Sequence, residues 1–209
     1  MSHVMVLPTL APSQTAEVRV TGAALRCIAR WGLAKTTLDD IAREAGCSRA
    51  TVYRLFPGGK SSLIALVGQH EVARLLLAVI DAIDESPDLE QLLVSAIGAA
   101  AGFLDENEAL DMLAAHEPEL LLPFLAFDRL DPLLAAASGF LGPIVSRFVD
   151  PSAAGELVEW AARLVISYTF IPSESFDLTE PADVTRLVRT HLLPGVHSAK
   201  ESAPQLPVP

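Results

Sequence analysis

The stretch Thr36-Thr-Leu-Asp-Asp-Ile-Ala-Arg-Glu-Ala-Gly-Cys-Ser-Arg-Ala-Thr-Val-Tyr-Arg-Leu-Phe56 decides the fold. Thr37 stands before Leu-Asp-Asp, where a hydroxyl can cap free amides and the two acids lie at the positive end of a helix. That second helix of the chain runs to about Ala45. Gly46 supplies a sharp turn, and Ser48 is placed to cap a third helix, Arg49 to Phe56, which Pro57, Gly58 and Gly59 end. Leu38, Ile41, Ala42, Ala45, Val52, Leu55 and Phe56 can then share one small core between two helices that cross at the glycine. Arg49, Ala50, Thr51, Tyr53 and Arg54 are left on the outside of the third helix. These types suit a helix lying in a major groove. Arginine grips guanine edges with two donors, a small alanine permits close approach, and threonine and tyrosine hydroxyls reach phosphate.

Upstream, Val20, Ala24, Cys27, Ile28 and Trp31 fall at helical spacing between Ala16 and Trp31, and Gly32 is a natural stop. Residues 1–13, with Pro8 and Pro12, read as a loose arm. Downstream a long fourth helix is expected over Ser61 to Ile83. Further helices are expected near Leu89 to Leu104, Ala109 to His116, Pro118 to Phe127, Pro132 to Phe148, Ala153 to Ile171 and Pro181 to Leu193. No sustained strand alternation occurs, so the fold class is all-α. A helix-turn-helix domain over 14–60 precedes a helical domain over 61–196, and residues 1–13 and 197–209 are expected to be flexible tails. The segment Glu156 to Phe170 is apolar around more than one face, so it needs cover from its own core and from another surface.

Composition agrees with this class. Hydrophobic residues make up 51% of the chain and aromatics only 6%, so the apolar mass is aliphatic and rich in helix formers. The net charge of −11 is unevenly spread. Residues 1–60 hold eight Lys or Arg against four acids, a local +4, which leaves −15 for the remainder. Such polarity is expected where one end meets a polyanion and the other does not. Two cysteines are too few for a disulfide scaffold. No leader pattern opens the chain, and the nearly uncharged stretches Leu92 to Leu104 and Leu133 to Ser146 fall short of the roughly 20 residues a bilayer requires. A cytoplasmic protein without a membrane span is expected.

Several motifs fail on inspection. Gly59-Lys60-Ser61 ends like a phosphate loop, but the earlier glycine would fall at Arg54. His116-Glu117 opens like a zinc-protease pair, but Leu120 stands where the second histidine belongs. His70, His116 and His191 are scattered, so no metal and no cofactor is expected, and no enzyme. Cys47 reads as a small buried apolar residue rather than a redox sensor.

Over residues 16–64, the run Asp40-Ile41-Ala42, Ala45-Gly46, Ser48, Thr51-Val52-Tyr53, Phe56 and Lys60 resembles the N-terminal domain of TetR-family repressors. The resemblance implies a homodimer that binds double-stranded operator DNA and a variable helical domain that holds an inducer. It places Arg49, Ala50 and Thr51 where bases or phosphate are read, Tyr53 against the backbone, and Thr37 and Lys60 near phosphate. With Ser48 and Arg54 these form the expected DNA-binding set. Asp39 departs from the pattern, being acidic where a relative can place a DNA-contacting base. Leu55 and the long Pro57-Gly58-Gly59 turn depart as well.

The expected activity is a ligand-responsive transcriptional repressor released from a palindromic operator by a small apolar effector. The alternative is a helical small-molecule carrier or enzyme with a vestigial helix-turn-helix. Candidate effector-binding residues are Phe103, Met112, His116, Phe124, Phe127, Phe140, Trp160 and Tyr168, although core packing alone would produce the same pattern. The helices near Ala153 to Ile171 and Pro181 to Leu193 are expected to pair with their copies across a two-fold axis.

Overall fold

The computed structural model describes residues 12–125 and 130–195, and among these every regular element is helical. The elements are α1 (Pro12–Lys35), α2 (Leu38–Glu44), α3 (Arg49–Leu55), α4 (Gly59–Ile83), α5 (Leu89–Asp105), α6 (Glu108–His116), α7 (Pro118–Leu125), α8 (Asp131–Val145), α9 (Pro151–Phe170) and α10 (Pro181–Leu187). A π-helical turn, Val188–Leu192, continues α10. Of the flexible tails expected at 1–13 and 197–209, residues 1–11 and 197–209 lie outside the described residues. Pro12 and Ser13, expected in the loose arm, instead open α1, where proline suits a first helical turn because its missing N–H would have had no helical partner.

Packing divides these helices into two units. The first takes residues up to Glu71 together with Ala109–Glu117, and the second takes Val72–Glu108 and the chain from Pro118 onward. The first unit therefore runs past residue 60 to take in the opening half of α4, and it includes α6 from Ala109.

In the first unit the core gathers Val20, Ala23, Ala24 and Cys27 of α1, Ile41 and Ala42 of α2, Val52 and Phe56 around α3, and Leu63 and Val67 of α4. The residues expected to bridge the second and third helices are the ones found there, with Leu38, Ala45 and Leu55 at the edge of the cluster. Two expectations fail. Trp31 lies at the open end of α1 and is exposed rather than facing that core. Cys47 is half-buried rather than buried, because it occupies the turn itself.

The second unit has its own aliphatic core, built from Leu76, Val79 and Ile83 of α4, Leu92, Leu93 and Ile97 of α5, Leu157, Val158 and Val165 of α9, and Val184, Leu187 and Val188. One helix meets the length and hydropathy of a membrane span. At 25 residues, with a mean hydropathy of 1.7 over its most apolar window, α4 is long and apolar enough to cross a bilayer. Its buried apolar residues serve two cores in succession, Leu63 and Val67 in one and Leu76, Val79 and Ile83 in the other.

Candidate nucleic-acid interface

The geometry of α2 and α3 follows from their caps. Thr37 Oγ1 accepts the Asp40 amide at 3.2 Å while Asp40 Oδ2 accepts the Thr37 amide at 3.2 Å, a reciprocal capping box that satisfies two end donors. The chain turns at Gly46, whose φ of +64 a residue with a side chain would rarely adopt. Ser48 Oγ then accepts the Thr51 amide at 3.1 Å and lies 3.0 Å from the Thr51 hydroxyl. Val52 and Phe56 anchor the inner side of α3, which leaves Arg49, Ala50, Tyr53 and Arg54 exposed and Thr51 half-buried.

At the head of α3 the Arg49 guanidinium is held from two sides. Its Nε lies 3.0 Å from Asp39 Oδ1, and its Nη1 donates to Asp39 Oδ2 at 3.1 Å. On the other side Nη2 donates to the Tyr53 hydroxyl at 3.3 Å, with the guanidinium carbon 5.3 Å from the ring centre. The Tyr53 hydrogen bond and then the Asp39 charge push the Arg49 guanidinium still higher than an arginine's ordinary value. Arg49 is thus charged and partly pre-positioned. Asp39's partnership was missed in the sequence, where it registered only as a departure. The signal was present in the ten-residue interval that returns α3 across the start of α2.

Some of the expected DNA contacts also hold the fold together. The Lys60 ammonium donates to the Leu33 carbonyl at 2.5 Å and is half-buried, tying the start of α4 to the end of α1. This bond gives Lys60 a structural role and leaves its other N–H donors uncommitted by it. Thr37 and Ser48 also commit their hydroxyl oxygens to caps, although both residues remain exposed.

The acids of α2 make this unit sensitive to acid. The Thr37 hydroxyl bond holds the Asp40 carboxyl below its usual range, and the Arg26 bond does the same for Glu44, which also meets Arg30. A carboxyl whose folded value lies below its unfolded one adds stability above the unfolded value, and that stability is lost as pH falls through the folded one. Thermal midpoints are expected to hold steady from pH 7 to about pH 5 and to fall below that. Asp40→Asn should make the fall shallower in the same thermal melts.

The expected effector residues that are described divide between the two units. Met112 and His116 sit on α6 in the first unit, half-buried and exposed respectively. In the second unit, Phe103 lies under the Arg74 guanidinium at 5.4 Å, and Tyr168 packs edge-on against Phe176 at 6.1 Å. Phe140 is 47% and Trp160 63% exposed. The side chain of Phe124 and the whole of Phe127 lie outside the described residues. A cavity of about 100 Å³ does exist in the second unit, between α4, α5, α8 and α9, but its walls are different residues. Leu76, Val79, Leu93, Ile97, Ala137 and Val165 are among them, and every lining side chain is Leu, Val, Ile or Ala. The aromatic residues drew attention in the sequence, whereas aliphatic helix faces that read as plain core surround the space.

Residues 20–67 match the family model of bacterial regulatory proteins of the TetR type. Over these residues the chain is similar to the TetR family. An HTH-type transcriptional regulator of Mycobacterium bovis is 35% identical over 78 residues, 37% of this chain and 41% of that protein. The similarity thus spans well under half the length of that relative. A regulator of Mycobacterium tuberculosis is 26% identical over 195 residues, 91% of this chain and 90% of its own.

Among solved structures, the TetR-family repressor AlkX from Dietzia sp., implicated in biodegradation of n-alkanes, superposes with a TM-score of 0.66 at 21% identity. The match covers 92% of this chain and 98% of AlkX. The fatty acid degradation regulator FadR from Bacillus halodurans gives 0.58 at 20% identity, over 88% and 98%. At these identities the likeness is one of fold, and it extends through the C-terminal helices of this chain. Its relatives are transcriptional regulators.

Proposed function

We propose that this chain is a cytoplasmic TetR-family repressor that grips a palindromic operator as a homodimer, one α3 per half-site, and is released when a small apolar effector occupies the second unit. The observation that carries the reading is the outward row on α3. Arg49, Ala50, Tyr53 and Arg54 stand exposed on a helix capped at Ser48 and anchored by Val52, and two of the four are permanent cations. Phosphate contacts would position this helix, and Arg49 would read a base edge.

The effector reading is supported by the cavity. A space walled only by aliphatic side chains offers no partner to a charge, so burying an ionised or strongly polar group there would be costly. An uncharged hydrocarbon portion suits it. Two proteins of the same fold are named for n-alkane and fatty acid degradation, in line with an aliphatic effector. Such a ligand lowers DNA affinity only by as much as it prefers the state that does not bind DNA.

The dimer reading is supported by exposed aromatics. Trp160 on α9 and Phe140 on α8 are large apolar side chains left open to water. The exposed positions of the π-helical turn are Arg189, Thr190 and His191, whereas Val184, Leu187 and Val188 turn inward. The apolar cover available to a second copy therefore lies on α8 and α9 rather than on the expected partner after Pro181.

Selection of bound duplexes from a randomised pool tests the reading. The expected outcome is a palindrome whose half-site centres lie about 10 base pairs apart or a multiple of it. Decane and decanoate, added separately, should differ: release by decane and weaker or no release by decanoate is the expected pattern. A pool that yields no enriched sequence would return the chain to the alternative of a helical carrier.

A further inference from the structure

We infer that Asp39 is a positioning residue that sharpens sequence preference, its carboxylate fixing Arg49 at the head of α3 and opposing any complex in which Arg49 meets phosphate alone. The inference rests on the proposed DNA-binding reading and goes beyond it. Asp39 and Asp40 are neighbours in the first turn of α2, yet their uses differ. Asp40 is spent on the capping box and on Arg43 at 3.2 Å. Asp39 reaches across the turn to the recognition helix instead, with contacts of 3.0 and 3.1 Å to Arg49.

The side chains of Arg49 and Asp39 are 62% and 52% exposed, so their ion pair adds little to folding. Its weight falls on what the guanidinium can do. Arginine has five N–H donors, and here one on Nη1 faces Asp39 while one on Nη2 faces Tyr53. One N–H therefore remains on each Nη atom, and a guanine edge accepts two. A guanidinium held in this way can meet that edge without leaving its carboxylate. Following an irregular run of phosphates would require it to let go, or would carry the carboxylate toward like charges. The carboxylate is thus a repulsive element set beside an attractive one, a combination that creates discrimination rather than affinity.

The test uses the full-length chain, Asp39→Asn, Arg49→Ala and the double variant. Two probes serve, a randomised 30-base-pair duplex pool and the duplex that the natural chain enriches from it. Asp39→Asn should bind the random pool on the order of tenfold more tightly at low salt, with a salt dependence steeper by about one phosphate contact. Sequences selected by Asp39→Asn should broaden at the base pair read by Arg49 in each half-site, and in the Arg49→Ala background the same substitution should broaden nothing further. Unchanged selection and unchanged random-pool affinity in Asp39→Asn would overturn the proposal, as would broadening that persists without Arg49. If the natural chain enriches no duplex while it remains folded by circular dichroism, the DNA-binding reading fails and this one fails with it.

Discussion

Arg49→Ala is expected to weaken binding to the selected duplex by about 1–3 kcal/mol per half-site, roughly a tenfold to hundredfold loss for each. In a symmetric dimer both half-sites lose the contact, so the effect on the whole complex approaches about 2–6 kcal/mol, enough to abolish occupancy at nanomolar protein. The cause is the position of the residue: it opens α3, is exposed, and arrives at DNA already charged and oriented by Asp39 and Tyr53. Stability should hardly change, since nothing buried depends on this side chain, and a thermal melt provides that control.

Arg43→Ala is the contrasting case. That guanidinium pairs with Asp40 on α2 and is 74% exposed, so its removal should alter binding through general charge alone and leave the selected sequence intact. Fluorescence anisotropy on the selected duplex and on random sequence separates the two. An Arg49→Ala variant that keeps its affinity for the selected duplex would remove the basis for assigning α3 to the groove.

The local pattern was more legible in the sequence than the cavity was. Caps, glycine turn and core of the helix-turn-helix can be read from Thr37, Gly46, Ser48, Ile41 and Val52, because each of these residues acts on near neighbours through a backbone rule. Lys60 shows where that reading stops. Its charge suggested phosphate, but its partner is the Leu33 carbonyl 27 residues earlier, a contact no periodicity announces. The cavity was hidden for another reason. Its walls are the same Leu, Val, Ile and Ala that fill any helical core, and only three-dimensional packing distinguishes a filled interior from one with room in it. Aromatic side chains drew attention instead, and Phe140 and Trp160 proved to face water.

The segment just after the regular part of α1 gives the second large effect. Gly32 has φ +79 and ψ 165, a region that residues with a side chain scarcely enter. The bend turns the Leu33 and Ala34 amides toward Glu117, whose carboxylate accepts them at 2.7 and 3.1 Å. The buried Thr36 hydroxyl donates to the Gly32 carbonyl at 2.7 Å, and Lys60 takes the Leu33 carbonyl. One residue therefore sets a knot among α1, the start of α4 and the chain just beyond α6.

A methyl group at Gly32 would lie 2.5 Å from Glu117 Oε1. The carboxylate could swing aside, so the clash alone is cheap. Two amides would then lose a charged acceptor, and the strained backbone would remain. Gly32→Ala should cost about 2–5 kcal/mol from strain and lost charge-assisted bonds together, lowering the first unit's melting temperature by about 10 °C or more. Glu117→Ala should lose only the bonds and so fall short of that, while Glu117→Gln, which keeps an acceptor, should lose less again. In the double variant Gly32→Ala with Glu117→Ala, the two costs should overlap, because the bonds cannot be lost twice. A Gly32→Ala protein that melts like the natural chain would mean that the bend at Gly32 is not what holds these three helix ends together.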